Sequence, residues 1–275
     1  MSTLPIFKAA AVQMCSCSSV QDNLTFASNA IQQAATQGAK LIVLPEMFPT
    51  LAVENGHIAA REPFGAGPIQ DFLSSQAKKL GVWIVGGTIP IASTENDRIY
   101  AACLTFNDQG VCVGRYDKIH LFDAKIDAGK EEYQESKKTL AGSQPFVLDS
   151  PFGKLGFAVC YDVRFPELFT ELNRLGAEIF ILPSAFISTT GKAHWEILCR
   201  ARAIEHLCYL IGANQTGKHC NGRCSFGHSM IVDPWGIILA EEKEQTGMAI
   251  AEIDLNKLHA MREKLPLNAH RKLKF

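Results

Sequence analysis

Short apolar runs of strand length alternate with segments of helical period along the whole chain, and such a sequence buries its apolar faces by stacking helices on sheets. Residues 7–14 read as a strand and 20–37 as an amphipathic helix stopped by Gly38; 41–44 is a buried strand ended by Pro45. A helix over 68–80 closes at Gly81, and 82–90, 98–107 and 111–117 read as three strands. The turn Asn107-Asp-Gln-Gly110 makes the last two a hairpin. Past residue 160 the alternation resumes with a helix over 166–175, a strand over 179–182, a helix over 194–206 and a strand over 208–213. Residues 228–232 and 236–240 flank the turn Asp233-Pro-Trp-Gly236, and a strand over 248–253 precedes a helix over 255–264. With no low-complexity linker and no repeat, the pattern predicts one α/β domain over 1–275. Its basic, proline-containing end, 265–275, is either a loose tail or an arm that packs on another subunit.

The chain has 275 residues and 47% hydrophobic content, enough for a sizeable core. A net charge of −1 lacks the basic excess that nucleic acid or an anionic membrane surface requires, so the expected partner is a small molecule or another subunit. The amino terminus enters its first strand without a signal-peptide pattern, and no apolar run approaches the roughly 20 residues of a membrane helix. Nine cysteines are an odd number, and several, such as Cys103 and Cys208, lie in apolar runs, as reduced thiols of a cytoplasmic protein do. Cys15, Cys17, Cys199, Cys220 and Cys224, with His219, lack the paired spacing of a zinc site, so no metal is expected. The absence of a Cys-x-x-Cys pair disfavours a thiol redox protein.

Residues 154–167, Lys-Leu-Gly-Phe-Ala-Val-Cys-Tyr-Asp-Val-Arg-Phe-Pro-Glu, carry the most specific chemistry. An apolar strand runs into Cys160, and a polar turn then opens a helix at Phe165 and Pro166. A thiol at a strand's carboxyl end sits beside outward-aimed backbone N–H groups, where a thiolate and an oxyanion can both be held. A lone cysteine in an apolar run is ordinarily a small buried hydrophobe, so the rest of the chain has to supply a base, an oxyanion partner and a proton donor for a leaving nitrogen. The histidines do not fall at obvious strand ends. Glu46, after Leu41-Ile-Val-Leu-Pro, and Lys118, after the strand over 111–117, do. Each alone reads as a capping or solvated charge; three such residues at strand ends can converge on one pocket.

With their flanks, these residues resemble a known family. Leu44-Pro-Glu46, Tyr116-Asp-Lys-Ile-His-Leu-Phe122 and Gly156-Phe-Ala-Val-Cys-Tyr-Asp-Val-Arg-Phe-Pro-Glu167 are similar to the three signature segments of the carbon–nitrogen hydrolase (nitrilase) superfamily, in the same order and approximate spacing. The resemblance runs from Ala11-Val-Gln13 to residues 248–254. It implies Glu46 as general base, Lys118 as stabiliser of the oxyanion with the Tyr161 backbone N–H, Cys160 as nucleophile, and no metal or organic cofactor. Gln134-Glu-Ser136, Pro183-Ser-Ala-Phe186, Ala193-His-Trp-Glu196, Arg200-Ala-Arg-Ala-Ile-Glu205 and Phe226-Gly-His-Ser-Met230 resemble the Nit branch, which includes the deaminated glutathione amidases. There Glu135 matches a second, supporting glutamate, and Arg164 matches a residue that binds the substrate's α-keto-acid carboxylate. A planar guanidinium suits that group; an ion pair with Asp162 or Glu167 is the alternative. The implied fold is a four-layer α-β-β-α sandwich whose subunits form homodimers or higher homo-oligomers.

The expected activity is therefore hydrolysis by water of the terminal amide of a small carboxylated metabolite to acid and ammonia, most specifically on deaminated glutathione. ω-Amidase action on α-ketoglutaramate or α-ketosuccinamate, or hydrolysis of an N-carbamoyl compound, competes within the same chemistry. A non-catalytic binding protein on this fold is the alternative from another class, and intact Glu46, Lys118, Glu135 and Cys160 argue against it. His120 and His228 are expected to anchor loops, His194 and Trp195 to pack, and Arg202 and Glu205, three apart on a helix, to pair. Loops 50–64 and 186–193 are expected to set the pocket's length.

Overall fold

Two sheets stacked face to face, each covered on its outer side by helices, order the chain in a computed structural model that describes residues 6–51, 56–126 and 131–273. The first sheet is built from β1 (Ile6–Gln13), β2 (Ala39–Val43), β3 (Trp83–Val85), β4 (Ile89–Ala92), β5 (Ile99–Phe106) and β6 (Cys112–Asp117). A small hairpin of β7 (Asp123–Ile126) and β8 (Glu131–Gln134) follows, and β9 (Thr139–Leu140) then pairs with β5. The second sheet starts with β10 (Val147–Ser150), β11 (Gly153–Phe157), β12 (Ile179–Ser184) and β13 (Tyr209–Asn214). The hairpin β14 (Thr216–Lys218) and β15 (Cys224–Phe226) interrupts it before β16 (Ser229–Val232) and β17 (Ile238–Glu242) complete its edge. The last strand, β18 (Gly247–Asp254), returns to the first sheet and pairs antiparallel with β1, Ile6 opposite Asp254 and Gln13 opposite Gly247.

Side-chain alternation along β1 shows how the layers stack. Ala10 and Val12 join Ile42, Ile84 and the inner faces of α1 (Val20–Thr36) and α3 (Pro68–Leu80), while Ala9 and Ala11 join Leu41, Val43, Phe157, Ile181 and Ile211 between the sheets. The far side of the second sheet is covered by α4 (Pro166–Arg174) and α5 (Ser188–His206), through Phe169, Leu172, Trp195 and Ala203. Both sheets are thus largely buried on both faces, so their central strands read as mostly apolar runs rather than as a regular polar alternation. The order helices, sheet, sheet, helices is the expected four-layer α/β sandwich. The final helix over Leu255–Lys264 and a turn of helix at Leu267–His270 follow, and Arg271 donates to the Glu205 carbonyl at the end of α5, 3.2 Å away. Among the described residues no helix is long and apolar enough to cross a membrane.

Several expected elements have different limits. Residues 82–90 are not one strand: Gly86 and Gly87 break them into β3 and β4. The strand expected to run into Cys160 ends at Phe157, and a 3-10 helix over Cys160–Arg164 intervenes before α4. Helix α5 starts at Ser188 rather than 194, through Ser188-Thr-Thr-Gly191, which are weak helix formers, and Lys192-Ala193. Tertiary packing overrides propensity there: a side chain at Gly191 would meet Phe226 carbons 2.3 Å away, so this turn docks on β15. The charged stretch 123–138 contains the β7–β8 hairpin, although 127–130 lie outside the described residues, as do the amino-terminal residues 1–5, 52–55 of the expected pocket loop and the last two residues of the 265–275 end.

Candidate active site

Glu46 and Lys118 are placed by two close backbone approaches behind them. After β2 the chain turns through Leu44, Pro45 and Glu46, and Gly87 lies so near that a Cβ there would stand 2.0 Å from the Pro45 carbonyl oxygen. A Cβ on Gly142 would stand 2.1 Å from the carbonyl oxygen of Asp117, the last residue of β6, so the residue before Lys118 is backed in the same way. Both side chains are 2% exposed. Lys118 Nζ donates to Glu46 Oε1 at 2.8 Å and to both Glu135 oxygens at 3.0 and 2.8 Å. Glu135 heads the 3-10 turn after β8 and also accepts from the Phe122 N–H at 2.7 Å, while the second Glu46 oxygen accepts from the Ala185 N–H at 2.8 Å. Burial opposes charge on Lys118, but Glu135, Glu46 and the neighbouring Cys160 sulfur outweigh it and hold the ammonium well above the ordinary lysine range. Burial pushes the Glu135 carboxyl up, against the pull of that ammonium. The ammonium is thus shared between two carboxylates while it also lines the cavity.

Cys160 takes a left-handed φ of +48°, unusual for a non-glycine residue, where the second sheet's strand breaks into its 3-10 turn. Asp162, fully buried, holds that turn. Its carboxylate accepts from the Val159 N–H at 2.8 Å, the Tyr116 hydroxyl at 2.7 Å and the His120 N–H at 2.9 Å, and lies 2.7 Å from His120 Nδ1. Tyr116 and His120 bracket Lys118, so one carboxylate fixes the thiol's turn against the lysine's strand. The thiol lines the same cavity as the Glu46 carboxylate and Ala185. Burial first, and then the Glu46 charge, push the thiol up despite the opposing Lys118 cation, so the resting group is the thiol. Tyr161 lies in the first turn of the 3-10 helix, where an N–H has no acceptor within the helix.

All six residues singled out from the sequence, Glu46, Lys118, Glu135, Cys160, Tyr161 and Arg164, line one cavity of about 490 Å³. Its walls also carry His57, Phe122, Tyr133, Phe186, Thr190 and Arg223. Burial, and to a smaller degree the Arg223 charge, depress His57 to about 4 against an opposing Glu46, so it is neutral near pH 7. Arg164 forms no ion pair with Asp162 or Glu167 among the described residues. Its Nη1 lies 3.2 Å from His194 Nδ1, and its guanidinium sits 5.0 Å from the Phe186 ring centre and 5.8 Å from that of Tyr161. Burial draws its pKa below the ordinary arginine value. His228 bonds Glu241, Trp195 Nε1 donates to the His228 carbonyl, and Arg202 pairs with Glu205 at 2.7 Å, all away from the thiol.

Three participants escaped the sequence reading. Asp162 lies inside the cysteine segment but was weighed only as a partner for Arg164. The Ala185 N–H is invisible as a side chain, and Arg223 lies in the stretch inspected only for zinc spacing. Cys103 and Cys208, expected as reduced thiols, are free, but one other pair is not. Cys17 and Cys220, 203 residues apart with Cα atoms separated by 5.7 Å, form a disulfide, a proximity created by folding that leaves no trace in local spacing. Among the described residues no His, Cys, Asp and Glu cluster is arranged to hold a metal ion.

The profile of the carbon-nitrogen hydrolase family matches residues 8–263. A deaminated glutathione amidase of Synechocystis sp. is 40% identical over 268 residues, which span 96% of this chain and 98% of that protein. Among solved structures, the NitFhit protein of C. elegans superposes with a TM-score of 0.90 at 36% identity over 98% of this chain and 66% of that longer one. Nit3 of Saccharomyces cerevisiae, a member of branch 10 of the nitrilase superfamily, superposes with a TM-score of 0.87 at 32% identity over 96% of each chain.

Proposed function

The chain belongs to the carbon–nitrogen hydrolase family and is an amidase, and from that premise we propose that it hydrolyses deaminated glutathione through a thioester on Cys160. The observation that carries the mechanism is that Cys160 and Glu46 line one cavity, where Glu46 at the same time holds the Lys118 ammonium. Because the thiol is pushed up, its proton passes to Glu46 as the sulfur attacks the amide carbon, not before. The oxyanion is held by the Lys118 ammonium and the Tyr161 N–H, both preorganised in the cavity. Protonated Glu46 then donates to the departing nitrogen and the C–N bond breaks. Water, deprotonated by the same carboxylate, attacks the thioester and returns the thiol. Glu135 acts through Lys118 as a positioning residue, and Arg164 binds the carboxylate of the keto-acid portion.

Deaminated glutathione contains only secondary amides, so the group leaving from it is an amine, cysteinylglycine, whereas a primary amide such as α-ketoglutaramate would release ammonia. A cavity of about 490 Å³ has room for that longer leaving portion beyond the thiol. Both substrates yield 2-oxoglutarate, so one assay of its release compares them, with Cys160→Ala as the blank. Faster turnover of deaminated glutathione, absent in the blank, is expected. Turnover of α-ketoglutaramate alone would move the substrate to that of an ω-amidase, and turnover by Cys160→Ala would sink the thioester mechanism.

We further propose that the protein acts in the cytoplasm as a homodimer joined along α5. Ile197 and Ile204 on that helix and Trp235, Ile237 and Leu239 on the adjoining turn and β17 are all exposed. The Arg200 Nε bond to the Gly236 carbonyl, 2.8 Å, makes the two elements one surface. A contiguous apolar face of this kind is covered in most soluble proteins. Trp235→Glu is expected to shift the mass measured by light scattering from dimer to monomer; a monomeric parent protein would refute the assignment.

A further inference from the structure

Arg223, at the edge of the catalytic cavity, is a cation with no carboxylate partner among the described residues. It lies at the tip of the β14–β15 hairpin, which is unusually well fixed. The His219 N–H donates to the Arg223 carbonyl at 2.8 Å, and the Arg223 N–H donates to Asn221 Oδ1 at 3.0 Å. His219 spans from the Ser16 carbonyl to Ser225 Oγ, 2.8 Å each, and the Cys17–Cys220 disulfide ties the tip to the chain between β1 and α1. The guanidinium itself donates through Nη2 to the Ala185 carbonyl at 2.7 Å and stands 5.4 Å from the Tyr133 ring centre. Its Nε is buried and has no hydrogen-bond partner. Among the described residues no carboxylate pairs with it. The acids of the neighbouring rim are otherwise engaged: Glu131 accepts from the Tyr133 and Thr189 hydroxyls, and Glu132 from Gln134, with Lys125 3.5 Å away.

Burying an N–H of a cation with nothing to receive it is costly, and a planar guanidinium with free donors is suited to a carboxylate. The position of this one is informative. Ala185 receives Arg223 on its carbonyl and gives its N–H to Glu46, while Arg164 lies over the ring of the next residue, Phe186. The two guanidiniums therefore flank the same Ala185–Phe186 segment, to which the catalytic carboxylate is bonded. We propose that Arg223 binds a second substrate carboxylate, on the departing amine, so that Arg164 and Arg223 together select amides that carry an anion at each end. The inference rests on the amidase reading of the site and deepens it. It assigns recognition of the acyl half to Arg164 and of the leaving half to Arg223. A substrate with one carboxylate fills one of these positions and leaves the Arg223 donors unanswered.

The test measures binding apart from turnover. In Cys160→Ala, dissociation constants of deaminated glutathione and of its C-terminal carboxamide, which lacks only the second negative charge, are compared by titration calorimetry. The acid is expected to bind about 10- to 100-fold tighter than the carboxamide, the size of one charge-assisted hydrogen-bond set. In Cys160→Ala with Arg223→Gln, which removes the charge and keeps a polar side chain, that ratio should collapse to about 1. With Arg223→Lys it should be intermediate. Equal affinities in Cys160→Ala, a ratio that survives Arg223→Gln, or no binding of the acid would each overturn the assignment. Tight, Arg223-dependent binding without turnover by the unaltered enzyme would instead sink the proposed substrate and leave Arg223 as a carboxylate site.

Discussion

Replacing Glu46 by glutamine should change the reactivity of Cys160 and the turnover of the enzyme in opposite directions. In the native site one Glu46 oxygen accepts from Lys118 Nζ and the other from the Ala185 N–H, both at 2.8 Å. A carboxamide has one acceptor oxygen, so its NH₂ must face either the ammonium or the Ala185 N–H, and one of those bonds is lost. The variant also lacks the base, and loss of a general acid–base group costs about 10²- to 10⁴-fold in kcat/KM. The thiol should respond the other way. The Glu46 charge is the second contribution, after burial, that raises its pKa, and the Lys118 charge opposes it. Removing a nearby like charge lowers such a pKa by about one unit or more, and each unit is tenfold in thiolate while the pKa remains above the pH. Iodoacetamide alkylation of Cys160, followed by mass spectrometry at pH 7.5, should therefore quicken about tenfold or more as amide hydrolysis falls. If alkylation slows together with hydrolysis, Glu46 does not hold the thiol protonated and the order of proton transfer proposed above is wrong.

Other perturbations test the framework around the site. Gly87→Ala puts a Cβ 2.0 Å from the Pro45 carbonyl oxygen at a φ of +52°, so it should cost on the order of 1–3 kcal/mol and displace Glu46. A melting temperature and kcat matching the parent would refute this account of the close approach. The Cys17–Cys220 bond closes 203 residues and stabilises by about 5 kcal/mol at 25 °C in the chain-entropy treatment. Titration in denaturant should find seven thiols before reduction and nine after, and nine at the outset would rule the bond out. His206 is depressed to about 3, first by burial and then by Arg271, Arg202 and Arg262. The unfolded chain takes up this proton near pH 6.5 and the folded chain only near pH 3, so stability present above pH 6.5 is lost as pH falls between those values. The loss is on the order of 5 kcal/mol. Denaturant midpoints of the parent and His206→Asn should converge on acidification; parallel curves would show that His206 is not the source.

Legibility in the sequence followed the physics of each feature. Helix α3 was readable to the residue because Pro68 starts it and Gly81 ends it in a left-handed conformation, both local signals. The Asn107–Gly110 turn was equally local, with Asn107 Oδ1 accepting from the Gln109 and Val111 N–H groups at 3.0 and 2.9 Å. The first turns of α5 were not readable, because Ser188-Thr-Thr-Gly-Lys-Ala193 becomes helical through packing against Phe226, a contact between distant segments. At the site, Glu46, Lys118 and Cys160 stood out as reactive groups at the ends of apolar runs. Their mutual contact depends on backbone approaches at Gly87 and Gly142 that have no local signature.

The same distinction explains why Asp162 matters as much to the arrangement as the residues that stand out. Glu46, Lys118 and Glu135 carry a net charge of −1 in a buried cavity, so the three attract and repel one another too strongly to fix their own spacing. The spacing has to be imposed from outside, by groups with no freedom to follow the proton. Asp162 meets that need: it is fully buried, joins the Cys160 turn of the second sheet to Tyr116 and His120 on either side of Lys118, and receives donors on both oxygens. The thiol from one sheet is thereby held against the lysine from the other, and Glu46, bonded to Ala185 on the far side, completes the clamp. A proton moving between Cys160 and Glu46 then changes charge within a frame set by neutral N–H groups, a buried carboxylate and glycine contacts. Such a frame need not reorganise during the reaction, which is how fixed dipoles lower a barrier.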